Sequence, residues 1–429
     1  MSARLFTVAA FALALSGCSS DLKPEKAIAT LAVAGSDSSG VSLASAGHRV
    51  VAAWAATRDG HTDIYAAMSR NDGATFDAPV RVNDVEGDAR VSGEQPPRVA
   101  LGEDVVVVWA SRAGQDSRIR MARSTDDGRT FAPAVTMHQE PLSGARGWQS
   151  VAIGPDNVIH ALWLDGRNAA PSAAAHHHDR AAGQPMAMNE SGSPRQDVVE
   201  AMWTPQGPVE TPVAPNVCFC CKTSIVVAPD GAIYAAWRHI YPDSMRDIAV
   251  ARSTDAGRTF GPPTRVSLDN WKLDACPDDG PAMAIDNTGV IHIVWPTLVP
   301  GSTAAKGIFY SYSADHGQTF APRVRLDDPS ATVASHPAIV FDGRDVVVAW
   351  DDLSPTKERR VRLLRLELHR IGVGGSGAAW TPRPDNTLFA ADRGPSSYPS
   401  LAVAGDHVLV AWTGEGEAQS DIHVRRFDR

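Results

Sequence analysis

Positive charge is scarce in this sequence and nowhere concentrated. Its 40 lysines and arginines are outnumbered by 49 aspartates and glutamates, for a formal charge of -9, and no basic block stands out. That balance excludes a nucleic-acid partner and electrostatic docking on anionic lipid, both of which need a basic face. The apolar stretch at the N-terminus, Leu5 to Leu15, is too short to cross a bilayer as a helix. Cysteine is sparse too, five in all. What is present, 43% hydrophobic residues with 35 glycines and 30 prolines, describes a folded chain with many turns and not a disordered one.

Met1 to Leu15 carries one cation, Arg4, ahead of its apolar stretch, the layout of an export signal that is set aside from the fold. Leu15-Ser16-Gly17-Cys18 resembles the lipobox of bacterial lipoproteins, which implies cleavage before Cys18 and lipidation of that residue. Several acyl chains on one residue hold a protein on a membrane where a single chain would not. Ser19 and Ser20 follow in place of an aspartate, which by the same resemblance implies the outer membrane, with the protein facing the periplasm or the cell surface. The expected division is a signal peptide over residues 1–17, a lipidated N-terminus and tether over 18–35, and one domain over 36–429. Export places the other four cysteines in an oxidising compartment.

The domain is a repeat. A short apolar run ends in tryptophan at Trp54, Trp109, Trp163, Trp237, Trp295, Trp350 and Trp412, with spacings of 55, 54, 74, 58, 55 and 62 residues. A period of this length marks an array of like supersecondary units. In the second unit, Arg98 to Leu101, Val105 to Trp109, Arg118 to Arg123 and Ala132 to Met137 are β-rich runs separated by turn residues, which predicts a four-stranded antiparallel meander. Such meanders set radially around a channel make a β-propeller. The fold class is therefore all-β, a seven-bladed propeller of four-stranded blades, with six blades as the alternative. The recurrent tryptophan is expected at the end of each second strand, as core. The last unit shows three strands, so Ala27 to Ala34 is expected to supply its fourth and close the ring. The third unit carries an insertion, Ala169 to Gln196, that reads as a long loop, and the sixth has a glycine-rich break, Gly372 to Gly377.

Ser124 to Phe131, Ser253 to Phe260 and Ser313 to Phe320 follow the pattern Ser-x-Asp-x-Gly-x-Thr-Phe, and Ser69 to Phe76 is a looser copy with Asn71 at the aspartate position. They resemble the Asp-box of the sialidase, or bacterial neuraminidase repeat, superfamily. In that superfamily the boxes lie on the face opposite the active site, so the resemblance makes Asp126, Asp255 and Asp315 structural. It also implies glycans as partners and either an exo-acting glycosidase of sialidase type or a binder that has lost hydrolysis. Sialidases use three arginines on the substrate carboxylate, a tyrosine nucleophile activated by a glutamate, and an aspartate as acid/base. Tyr398, in Tyr398-Pro399-Ser400-Leu401, has a neighbourhood similar to that of the family's nucleophile, and Arg58, Arg112, Arg167 and Arg238, which follow Trp anchors, are the candidate carboxylate ligands, with solvated loop cations as the alternative. The Phe/Tyr-Arg-Ile-Pro motif that carries the first arginine in the family is absent. Pro96-Pro97-Arg98-Val99 and His336-Pro337-Ala338-Ile339 stand at equivalent strand starts, which gives Tyr398 a purely structural alternative.

Cys218, Cys220 and Cys221 open the first strand of the fourth unit and Cys276 that of the fifth, so a ring brings all four sulfurs to one end of the channel. Two readings stay open. A disulfide from Cys276 to one of the other three would staple adjacent blades. Alternatively, clustered thiolates suit copper or zinc, with His176-His177-His178, Met186 and Met188 of the insertion as further ligands. The second makes the chain a metal-handling or scaffolding envelope protein; the glycan reading requires no cofactor. Lys222, Asp278 and Asp279 sit beside the sulfurs, and with Arg238 they define the pocket expected to take a ligand.

Overall fold

The computed structural model describes residues 22–114, 116–139, 143–168, 196–272, 279–299, 301–302, 305–328, 333–353, 358–370, 378–382, 388–389, 394–416 and 419–429. Cys18, Cys276, Asp278, the His176–His178 tract, Met186, Met188 and the Gly372–Gly377 break lie outside them. Among the described residues the only helical element is a single turn, Pro242–Ser244. The rest is antiparallel sheet arranged as seven blades in a ring. The third and fourth blades join into one eight-stranded sheet, their link being the pair Val217 and His239.

Each second strand is apolar on both faces because both are covered by a neighbouring blade. Val105 to Ala110, for example, are fully buried. The apolar clusters fall at the seven blade junctions, and each contains one anchor tryptophan packed against the preceding blade. Trp54 sits between the last blade and the first, beside Leu409 and Leu31, so the ring closes through the same kind of wedge. The tryptophans lie inside their strands and not at the ends: the strand of Trp54 runs on to Arg58, and that of Trp109 to Ala113. A wedge between blades is widest away from the axis, and an indole fills it best where covered strand continues on either side.

Ring closure is provided by Lys23–Leu31, which pairs with the C-terminal strand Ser420–Asp428 in a register that sets Leu31 against Ile422. The strand begins within the 18–35 stretch that the sequence assigned to the tether.

The Asp-boxes are hairpin turns between third and fourth strands. In the second blade Ser124 Oγ donates to Asp126 at 2.7 Å, Gly128 N–H donates to Ser124 Oγ at 2.8 Å, and Thr130 donates its N–H and hydroxyl to the Asp126 carboxylate at 2.9 and 2.6 Å. Gly128 takes φ +77°, a conformation that needs glycine. The same bonds recur around Asp255 and Asp315. Hydrogen bonds, first those from Thr130 and Thr259, hold Asp126 and Asp255 at a pKa of about 2. In the looser copy Asn71 Oδ1 accepts from Thr75 N–H at 3.0 Å while its Nδ2 donates to Thr75 Oγ1 at 2.9 Å, so an amide completes the turn equally well. Asp126→Asn is accordingly expected to leave the unfolding midpoint in urea nearly unchanged, and Asp126→Ala to lower it. Equal losses from both would show that charge, not geometry, holds the turn.

Candidate functional site at the channel mouth

Antiparallel order sends the boxes to one end of the ring and the starts of the first strands to the other. Four of those first strands carry a bulge at which the register slips: Ser39 to Ser42, Gly147 to Ser150, Ser335 to Ala338 and Ser397 to Ser400. Each bulge opens with a residue of positive φ, namely Gly40 at +63°, Trp148 at +59°, His336 at +56° and Tyr398 at +55°. A left-handed conformation at a tryptophan, a histidine and a tyrosine is costly and is held only where surrounding bonds require it. Those bonds come from adjacent blades. Gly40 N–H donates to Thr413 Oγ1 at 3.1 Å, Tyr398 N–H to Asp351 Oδ2 at 2.8 Å, and His336 N–H to Asp279 Oδ2 at 2.6 Å.

The bulges surround a cavity of about 250 Å3 on the axis, to which every blade contributes, from Val41 in the first through Arg98, Ser150, Lys222, Ala282 and His336 to Tyr398 in the last. This is slightly below the range of drug-sized sites and suits a ligand of one ring. His336 dominates its wall. Its Nδ1 meets the fully buried Asp351 at 2.7 Å, its Nε2 meets Glu94 at 2.7 Å, and its ring centroid lies 4.4 Å from that of Tyr398. Burial alone would lower the His336 pKa, and Lys222 pushes the same way, but the Asp351 charge with bonds to Asp351 and Glu94 raises it to about 9. His336 is therefore an imidazolium at neutral pH, donating from both nitrogens. Asp351 also accepts from Arg359.

Tyr398 is pushed up to about 12 by burial, then by the charges of Glu94 and Asp351. Its phenol is protonated at neutral pH and acts as a donor. Glu94 Oε2 is buried without a hydrogen-bond partner. Asp279 is buried and pairs with Lys222 Nζ at 3.3 Å; burial works against its charge, and Lys222, His336 and Lys306 more than offset this, so its carboxyl stays ionised. Burial lowers Arg98 to about 10, with Asp279 acting in the opposite sense, so it too remains charged. Arg98 lines the cavity, its Nε is buried and unpartnered, and it forms no ion pair with a described residue.

Of the residues singled out in the sequence, Tyr398 and Lys222 line this cavity and Asp279 supports it. The four arginines lie elsewhere. Arg238 is fully buried over the Trp271 ring and donates to the carbonyls of Pro296 at 2.8 Å and Arg246 at 3.1 Å. Arg58 is exposed and donates to the carbonyls of Gly35 and Ala34. Arg112 is exposed, and Arg167 is engaged by Asp165 and Glu210. Sequence reasoning missed Glu94, Asp351 and Arg359, and set aside Arg98 and His336 as ordinary strand starts. The signal available was the recurrence itself: Pro96-Pro97, His336-Pro337 and Tyr398-Pro399 occupy one position in three blades, with Arg98 directly after it where the other two carry Ala338 and Ser400.

Cys218, Cys220 and Cys221 are buried beside Trp148 and Ile240, their sulfurs within 4.8 Å of one another. Cys218 and Cys221 are free thiols, and Cys220 is disulfide-bonded, its partner outside the described residues.

The sequence matches the BNR repeat-like domain family over residues 47–411, most of the chain. The protein belongs to the BNR repeat-like family. Solved structures that this family member resembles include a protein of unknown function from Dyadobacter fermentans, 11% identical with a TM-score of 0.50, covering 94% of this chain and 100% of the other. Another is a polysaccharide lyase, an ulvan lyase, 9% identical with a TM-score of 0.51, covering 94% and 93%. A third is the Trypanosoma rangeli sialidase, 9% identical with a TM-score of 0.46, covering 77% and 55%. At these identities the likeness is one of fold. No curated protein matches the sequence.

Proposed function

We propose that this BNR-repeat propeller is a glycan-recognising protein of the cell envelope, lipid-anchored at Cys18, whose channel cavity takes an anionic sugar. The observation that carries this reading is Arg98: a charged guanidinium lining the cavity, its Nε buried and unpartnered, that feels the Asp279 charge but makes no direct ion pair with a described residue. A carboxylate on the ligand supplies such a pair in the fork geometry that guanidinium favours. The Tyr398 phenol, Lys222 and the His336 imidazolium add donors around it, and the cavity volume suits one terminal residue.

Hydrolysis of exo-sialidase type is the finer reading and would use Tyr398 as nucleophile with Glu94 as its base. Recognition is favoured over hydrolysis because Arg58, Arg112, Arg167 and Arg238 do not converge on the cavity, so a three-arginine clamp on the carboxylate is missing from its described lining.

Titration calorimetry with sialic acid and with uronic acids tests the reading. Saturable binding is expected, weakened about tenfold or more in Arg98→Met, the loss of a charge-assisted hydrogen bond. Release of a fluorophore from a sialoside by the wild type, abolished in Tyr398→Phe, would replace recognition by catalysis. No binding across the panel would remove the glycan reading.

A further inference from the structure

The seam at which the ring closes gathers three metal-ligating side chains that take no part in the axial cavity. Glu25 stands on the closing strand Lys23–Leu31, His407 opens the strand His407–Glu415, and Asp428 ends the C-terminal strand Ser420–Asp428 that runs between them. His407 and Asp428 lie directly opposite each other in the register of their two strands, so their side chains leave one face of the sheet. The closing strand meets them through a bulge. Its register against the C-terminal strand slips between Pro24 and Ile28, and Glu25 falls inside that slip. A bulge re-aims side chains, and this one turns the Glu25 carboxylate across the C-terminal strand to the histidine.

Glu25 Oε1 lies 3.2 Å from His407 Nε2, and Asp428 Oδ1 lies 3.5 Å from the same nitrogen. One ligand atom from each of the three residues lies within 4.8 Å of the other two. The two shorter separations bracket about 3.4 Å, the edge of a tetrahedron built with ordinary zinc–nitrogen and zinc–oxygen bonds. An Nε2 proton serves only one of two carboxylates, whereas a cation between them serves both. His407 Nδ1 is buried without a hydrogen-bond partner, so Nε2 is the nitrogen turned to the acids.

Glu25 is held in place from behind. Arg426 donates to its Oε2 from Nε at 3.0 Å and from Nη2 at 2.6 Å, and Arg425 Nε donates to its carbonyl at 2.7 Å. An outer partner of this kind orients a ligating carboxylate and leaves Oε1 for the site. Arg426 offsets one carboxylate charge, and Asp428 supplies a second. The Asp428 side chain is 60% exposed, which gives a cation an entry and a water a fourth position.

We propose that Glu25, His407 and Asp428 bind a first-row divalent cation of the zinc type, and that the ion ties the closing strand into the last blade. One imidazole with two carboxylates is a donor set for such an ion, while calcium and magnesium take oxygen ligands. Among the described strands the closing strand pairs only with Ser420–Asp428. The ion joins it as well to His407–Glu415, a strand to which it makes no ladder bonds. An ion that binds the closed ring and not the open one stabilises closure by mass action.

Zinc titration of the chelator-treated full chain tests this, with His176, His177 and His178 replaced by alanine so that the tract does not compete. Calorimetry is expected to show saturable binding, weakened about tenfold or more in Asp428→Asn and in His407→Gln. Saturating zinc is expected to raise the urea midpoint of the parent and to leave that of Asp428→Asn unmoved. Asp428 is exposed, so its variant reports on the site even if His407→Gln fails to fold. Equal zinc affinity in the parent and in Asp428→Asn places the ion elsewhere and overturns the proposal. No binding at millimolar zinc overturns it too, as does a parent whose urea midpoint saturating zinc does not raise.

Discussion

Asp351→Ala is expected to destabilise the protein by about 3–5 kcal/mol and to abolish sugar binding, since removing one partner of a buried charged pair leaves the other uncompensated. The Asp351 carboxylate is fully buried and accepts from His336 Nδ1, Arg359 and the Tyr398 N–H. Without it Arg359 and the His336 Nδ1 lose their shared acceptor and the left-handed backbone at Tyr398 loses its anchor. Asp351→Asn keeps the shape and isolates the charge. Nuclear magnetic resonance of the His336 ring is expected to report a pKa of about 9 in the wild type and a value at or below the ordinary 6.5 in Asp351→Asn. An unchanged His336 pKa would show that Asp351 is not what holds the imidazolium.

The pH dependence has a defined sign. Because the folded pKa of His336 is raised, to about 9 from 6.5, its stabilisation is fully present below pH 6.5 and is lost as pH rises through 9. The amount is roughly 3 kcal/mol for a shift of this size. Asp351 runs the other way. Burial raises its pKa, but His336 and Arg359 outweigh burial, so the net shift is downward and its contribution holds above pH 3.8 and fades as pH falls. Urea midpoints should therefore be highest between these limits and decline toward pH 9, and His336→Gln should flatten the alkaline decline.

The second large effect is expected at the seam of the ring. Deleting residues 22–33 removes Lys23–Leu31, its bond from Arg426 to Glu25 at 2.6 Å, and the buried Leu22 and Leu31, which serve separate inter-blade clusters. Two buried leucines alone amount to about 3–6 kcal/mol. The deletion also leaves Ser420–Asp428 as a long open edge, a template for pairing with other chains. Light scattering should show self-association and the urea midpoint should fall. A monomeric truncated chain with an unaltered midpoint would mean that the ring holds without this strand.

The architecture was legible because its causes are local and repeated. Val105-Val106-Val107-Val108-Trp109 has one environment available to it, a strand covered on both faces, and six other runs say the same. The Ser and Asp side chains of each strict box bond within the box, so eight residues suffice to read the turn. The missing fourth strand of the last blade pointed to the N-terminus for the same reason.

The site was harder to read because its causes are long-range. His336 matters through Glu94, 242 positions away, and through Asp279, 57 away. The residue directly after the anchor tryptophan proved to be a clasp on the next blade: Thr413 holds Gly40 N–H, Asp351 holds Tyr398 N–H, and Arg238 holds the Pro296 carbonyl. In sequence, Arg238 stands out at that position as a loop cation while Asp351 and Thr413 do not. Arg98 reads as the exposed face of a strand until the other blades enclose it.

The most direct test of the central claim is a crystal structure of the protein with a carboxylate-bearing monosaccharide bound. The account predicts density in the axial cavity, with the carboxylate on Arg98 and the sugar beside His336 and Tyr398. A sugar bound elsewhere on the ring while the cavity holds only solvent would contradict it.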